Sequence, residues 1–136
     1  VYLVSEIGEE MKTAWGRFRP YETIAGLVGN VDGSHFTPWY HLNGDTGHKS
    51  FPSGHTREAF MLLWLPFFVD RKNIKLQKIM LWIGIAYGIL MAITRVRVGA
   101  HWTSDTIGGG ILTIVICLII AKVLDLRTAS DHCIGR

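Results

Sequence analysis

The chain has 136 residues, 49% of them hydrophobic, a formal net charge of +3 and a mean hydropathy of +0.25. That length bounds a single domain, and the hydrophobic share is high for a soluble one of this size. The charge is small and scattered, with no basic stripe interleaved with aromatics, which sets aside a nucleic-acid partner.

In chain order, Tyr2 to Trp15 mixes apolar and charged residues at helical intervals, predicting a helix at or leaving a membrane interface. From Arg19-Pro20 to Ser50 the composition turns to Gly, Asn, Asp, His and aromatics, with Pro38-Trp39-Tyr40 and Asn43-Gly44 as turn signals. This predicts a long ordered loop whose Trp and Tyr residues suit a headgroup-level position. Apolar helices are predicted over His55 to Val69, with Pro66 kinking or stopping the first, over Ile79 to Ile93, and over Ile107 to Ala121 continuing through Lys122 to Leu126. Each is near the lower limit for a hydrocarbon core of about 30 Å, which takes roughly 17 to 25 residues. Buried helices of a soluble bundle are the alternative. Gly84 and Gly88 at GxxxG spacing, and Gly108-Gly109-Gly110, favour close helix packing in lipid.

Arg71, Lys72, Lys75 and Lys78 join the first two apolar segments, and Arg127 and Arg136 lie beyond the third, so both regions are expected on the cytoplasmic side. The ends bearing His55, Arg95 and His101 then face outward. Cys117 sits in an apolar run and Cys133 in the polar tail, which argues against a disulfide between them, and neither belongs to a metal-ligand pattern. The chain begins at Val1 without a signal-peptide pattern, so a fragment or processed product is expected.

Phe51-Pro52-Ser53-Gly54-His55 stands before an apolar helix. Ser53 is a candidate N-cap and Gly54 permits close backbone approach. The free N–H groups and positive dipole end of a helix start favour a phosphate there, while an ordinary capped helix is the plainer reading. His101 and Asp105 are four apart, so on a helical turn they share a face, and the carboxylate can accept a hydrogen bond from one imidazole nitrogen. Such a histidine has the makings of a nucleophile, although a structural pair or a metal ligand with an outer carboxylate fits the same spacing. Arg95 stands six before His101, and Lys12 seven before Arg19; Arg grips two phosphate oxygens through its planar fork and Lys supplies a compact charge.

Taken together, Lys12-x6-Arg19-Pro20, Pro52-Ser53-Gly54-His55 and Arg95-x5-His101-x3-Asp105 resemble, in order and spacing, the three-part signature of the PAP2 (type 2 phosphatidic acid phosphatase) superfamily. Thr94 stands where the family usually has Ser. Arg57 and Glu58 stand where small residues are more common, with consequences for packing or substrate entry. Arg17 competes for the first-motif arginine, but the spacing from Lys12 selects Arg19.

The resemblance implies an all-α membrane bundle: three apolar helices, an N-terminal interfacial helix and a long ordered loop, with residues 1–136 forming one phosphatase domain. Membrane members typically have six transmembrane helices, so this chain looks like a C-terminal portion that packs with missing N-terminal helices or another subunit. It further implies a phosphohistidine on His101, oriented by Asp105, with His55 as acid and then base. Lys12, Arg19, Ser53, Gly54 and Arg95 are expected to bind the phosphate, with no metal and no cofactor. The expected substrate is a lipid phosphate of the undecaprenyl diphosphate, phosphatidylglycerophosphate, phosphatidic acid or lipid A class, handled on the outward face of a bacterial cytoplasmic membrane. A vanadium-dependent haloperoxidase shares these motifs, and a non-catalytic lipid-phosphate binding protein is the alternative without turnover.

Overall fold

The computed structural model describes residues 2–23, 36–70 and 72–134, with side chains as far as Val123. Among these residues the chain is all-helical. It has helices α1 (Tyr2–Trp15), α2 (Gly54–Ala59), α3 (Ile74–Arg97) and α4 (Thr103–Ile134), together with 3₁₀ segments at Pro20–Thr23 and Phe60–Phe68.

Helix α1 has the predicted bounds. It buries Val4 and Gly8 and exposes Tyr2 and Leu3. Gly16 ends it in the left-handed region at φ 50°, its N–H donating to the Lys12 carbonyl at 3.0 Å. A Cβ there would lie 2.0 Å from the Gly44 carbonyl oxygen, so the loop closes directly onto the helix end. Part of that loop, residues 24–35, lies outside the described residues.

The first predicted apolar helix takes a different form. Six residues of α-helix give way to nine of 3₁₀, Phe60–Phe68, with Pro66 inside. Pro66 cannot donate to an α-helical ladder and its ring opposes the carbonyl four residues earlier. Packing completes the change. A Cβ on Gly84 would stand 3.1 to 3.2 Å from the Leu62 and Leu63 backbone, so the 3₁₀ main chain rests on bare helix. The Phe60 ring fills hollows at Gly88 and Gly110, 2.7 and 3.0 Å from where their Cβ atoms would be. Gly84, Gly88 and Gly110, among the glycines singled out for helix association, therefore receive this segment.

Two helices, α3 and Thr103–Val123 of α4, are long and apolar enough to cross a membrane, where the sequence predicted three such segments. Only 11% and 33% of their apolar windows are buried, whereas the core helices of a soluble bundle would be mostly covered. Asn73 caps α3, its side chain accepting from the Leu76 N–H at 3.2 Å. A turn with Gly99 at φ 71° reverses the chain into α4. The end of α3, the start of α4, the start of α2 and the end of α1 meet on one side of the bundle.

Candidate active site

The start of α2 is the centre of that meeting. Ser53 is buried and caps the helix, its hydroxyl oxygen accepting from the Thr56 N–H at 3.4 Å and the Thr56 hydroxyl at 3.1 Å. Its own N–H donates to the Asp105 carbonyl at 2.9 Å, fixing α2 to α4. Gly109 makes this approach possible, because a Cβ there would fall 2.6 Å from the Ser53 carbonyl oxygen. Lys12 arrives from the last turn of α1: a Cβ on Gly54 would be 3.1 Å from its Nζ. Parts of the first and second motifs are thus in contact.

His101 is buried, and its Nδ1 lies 2.8 Å from the Ser50 carbonyl oxygen. A carbonyl only accepts, so Nδ1 carries the hydrogen and Nε2 keeps its lone pair. The expected bond to Asp105 is not made. The nearer Asp105 oxygen is 3.8 Å from Nδ1, while the carboxylate is occupied by the Arg17 Nη1, the Ser50 hydroxyl at 2.6 Å and the Trp102 N–H at 2.9 Å. Asp105 thus holds Ser50, whose carbonyl in turn accepts from the His101 ring. With no exposed surface and three donors, it is a satisfied buried charge.

The two candidates for the first-motif arginine part company. Arg17 is buried, donating to the Thr37 carbonyl at 2.8 Å, the Ser104 hydroxyl at 2.7 Å and Asp105, with its guanidinium 5.5 Å from the Trp102 ring centre. The guanidinium of Arg19 lies 5.9 Å over the Tyr21 ring, and the main-chain N–H of Arg19 donates to Glu22 Oε2 at 2.6 Å. The stretch around it is tied to the third motif by main chain, with Tyr21 N–H on Gly99 and Trp102 Nε1–H on the Phe18 carbonyl, 3.2 and 2.9 Å.

His55 points out from the first turn of α2 and is exposed. Partial burial lowers its pKa from the ordinary histidine value, and the positive charge of Arg95 lowers it further; Glu58 opposes the shift, and His101 and Lys12 add to it. Members of the first and third motifs therefore act electrostatically on the imidazole of the second. Arg95 closes the same side, and its Nε has no acceptor among the described residues. That leaves a donor for an anion. Among the described residues no group of three His, Cys, Asp or Glu side chains is arranged to hold a metal ion.

Sequence reasoning missed the Ser50 link, which joins residues 51 apart in the chain and has no spacing signal. It weighed Arg17 and set it aside on spacing. It noted Arg57 only as unusual, yet this side chain is 1% exposed and ion-pairs with Glu9 at 3.3 Å.

Comparison with known proteins agrees with the family resemblance. The phosphatidylglycerophosphatase B of Haemophilus influenzae is 38% identical over 90 residues, which is 62% of this chain and 36% of that protein. The chain therefore spans well under half of the relative's length. No solved structure matches significantly. The PAP2 superfamily profile matches residues 1–129, and the chain belongs to that superfamily.

Proposed function

We propose that this chain carries the catalytic site of a metal-independent lipid phosphate phosphatase that works through a phosphohistidine on His101. The observation that carries the reading is the His101–Ser50 hydrogen bond, which leaves the Nε2 lone pair free as a nucleophile.

In the first step the Nε2 lone pair forms a bond to phosphorus, the ester or anhydride P–O bond breaks, and the leaving oxygen takes a proton from His55. In the second, a water oxygen attacks phosphorus and gives a proton to His55. The N–P bond breaks, and phosphate leaves with both histidines restored. The Ser50 carbonyl and the Asp105 carboxylate, 3.8 Å away, favour the positive charge that develops on the His101 ring. Lys12, Arg95, Arg19, the Ser53 hydroxyl and the Gly54 backbone N–H stabilise the equatorial oxygens, the main demand of phosphoryl transfer. His55 has a lowered pKa in the free protein, which suits the base of the second step. A bound phosphate dianion adds opposite charge, raising the pKa so that His55 can serve as the acid of the first.

The substrate is a phosphate on an amphiphile. The site lies at the shared end of two apolar helices, beside a loop exposing Trp39 and Tyr40, which suits a headgroup whose tail stays in the bilayer. The phosphatidylglycerophosphatase relative makes phosphatidylglycerophosphate the first lipid to test, followed by phosphatidic acid, undecaprenyl diphosphate and lipid A phosphates. The Lys and Arg residues of the connections support a site on the outer face of a bacterial cytoplasmic membrane. Phosphate release from this panel by the full-length protein in detergent tests the proposal. Turnover of at least one lipid, insensitive to EDTA and abolished in His101→Ala, is expected; undiminished turnover in His101→Ala would refute it.

A further inference from the structure

Beside the phosphate cradle lies a cluster that the mechanism above does not use. Glu9 Oε1 accepts from Lys12 Nζ at 2.7 Å and from Arg57 Nη2 at 3.3 Å. Glu9 is half-exposed, whereas Arg57 is sealed beneath α1. Its guanidinium lies so close over Gly8 that a Cβ there would meet Nη1 at 1.2 Å. Nε and Nη1 of Arg57 find no acceptor among the described residues. Nη2 is 4.0 Å from where a Gly54 Cβ would stand, and Lys12 Nζ is 3.1 Å from the same point. Two cations and one shared carboxylate thus back the residue that opens α2.

We propose that Glu9 and Arg57 are positioning residues that hold the Lys12 ammonium over the Gly54 backbone for an incoming phosphate oxygen; this rests on the phosphate-site reading above. An ammonium has three donors, so the bond to Glu9 leaves two for a ligand. A Lys side chain loses about 2 kcal/mol of rotamer entropy when fixed, and fixing it before the ligand arrives removes that cost from binding. An exposed i,i+3 pair alone would be too weak for this, being worth about 0 to 1 kcal/mol. Arg57 supplies the missing rigidity by gripping the carboxylate from the buried side.

The burial of Arg57 supports a role beyond stability. A buried charge whose partner is half in water, with two further donors unmatched, is a costly arrangement. The Glu9 carboxyl is held below the ordinary glutamate range, chiefly by the Lys12 hydrogen bond; burial opposes the shift, and the charge of Lys12 and the bond and charge of Arg57 reinforce it. Arg57 is 1% exposed, so it acts through Glu9 and does not touch the ligand.

The test is a double-mutant cycle on orthovanadate affinity, measured by calorimetry with the full chain in detergent. Glu9→Gln is expected to weaken binding about tenfold, Lys12→Met at least as much, and the double variant no more than about twofold beyond Lys12→Met. Arg57→Lys keeps the charge and loses the Nη2–Oε1 contact. It is expected to weaken binding in the native background and to add nothing to Glu9→Gln. Additive losses, or native affinity in Glu9→Gln, overturn the relay while leaving the phosphate site standing. Failure of the unsubstituted protein to bind vanadate overturns both. Glu9 is half-exposed, so its cycle with Lys12 decides the matter even where an Arg57 variant unfolds.

Discussion

The Arg17 guanidinium and the Asp105 carboxylate form an ion pair sealed from solvent, joining the turn after α1 to the first turn of α4. Removing one partner of such a pair leaves an uncompensated buried charge. Arg17→Ala is expected to cost about 3 to 5 kcal/mol of stability. Arg19→Ala, which removes a guanidinium stacked on Tyr21, should cost far less and act on activity instead. Denaturant unfolding of the two variants in matched detergent separates these outcomes, and equal losses would contradict the assignment.

Ser50 bridges Asp105 to His101 with different atoms. Ser50→Ala deletes the hydroxyl that donates to Asp105 at 2.6 Å and keeps the carbonyl that orients the ring. A hydrogen bond to a charged group is worth about 1.5 to 3 kcal/mol, so a drop in turnover of roughly ten- to a hundredfold is expected. The His101 Nδ1 proton should persist in the NMR spectrum of this variant. Its loss would show that the hydroxyl, not the carbonyl, holds the ring.

His55 is predicted to titrate below the ordinary histidine value because burial, Arg95, His101 and Lys12 disfavour its charged form. The protonated ring is thus destabilised in the folded protein: whatever stability its neutrality confers is present above the unfolded pKa and is lost as pH falls through the lowered one. Arg95→Met should raise the midpoint and Glu58→Gln should lower it, since Glu58 opposes the shift. Ring-proton NMR titration reads both. Midpoints moving the same way would contradict the electrostatic account.

Gly109 lets α4 lie against the Ser53 backbone. A Gly→Ala change in a helix interior gains about 1 kcal/mol of propensity, but overpacking typically costs about 1 to 3 kcal/mol. The obstacle is main chain at 2.6 Å, so Gly109→Ala is expected to destabilise the protein and weaken vanadate binding together. At Gly110 the neighbour is the Phe60 ring at 3.0 Å, which can tilt, and the same change should be milder. Melting temperatures with and without vanadate compare the two.

Much of this architecture was legible in the sequence because it rests on local chemistry. The pattern from Tyr2 to Trp15 defined α1, and the charge-free run from Ile79 to Ile93 lies within α3. The 3₁₀ form of Phe60–Phe68 was not legible beyond the warning of Pro66, since an apolar run has the same composition whether α or 3₁₀. It depends on Gly84, which lies on another helix. Likewise the i,i+4 spacing put His101 and Asp105 on one face but did not reveal competing donors. Arg17 and Ser50 reach the carboxylate from 88 and 55 residues away, and tertiary contacts of that range leave no periodic trace.

The claim on which the account depends is that phosphate passes through His101. His55→Ala retains the nucleophile and lacks both the leaving-group acid and the group assigned to activate water, so with a ³²P-labelled nitrophenyl phosphate, whose leaving oxygen needs no proton, it should accumulate an acid-labile, base-stable phosphoenzyme. Mapping that label to His101 by peptide mass spectrometry is the predicted result. Label on another residue, or phosphate release in His55→Ala with water attacking phosphorus directly and no phosphoenzyme formed, would contradict it.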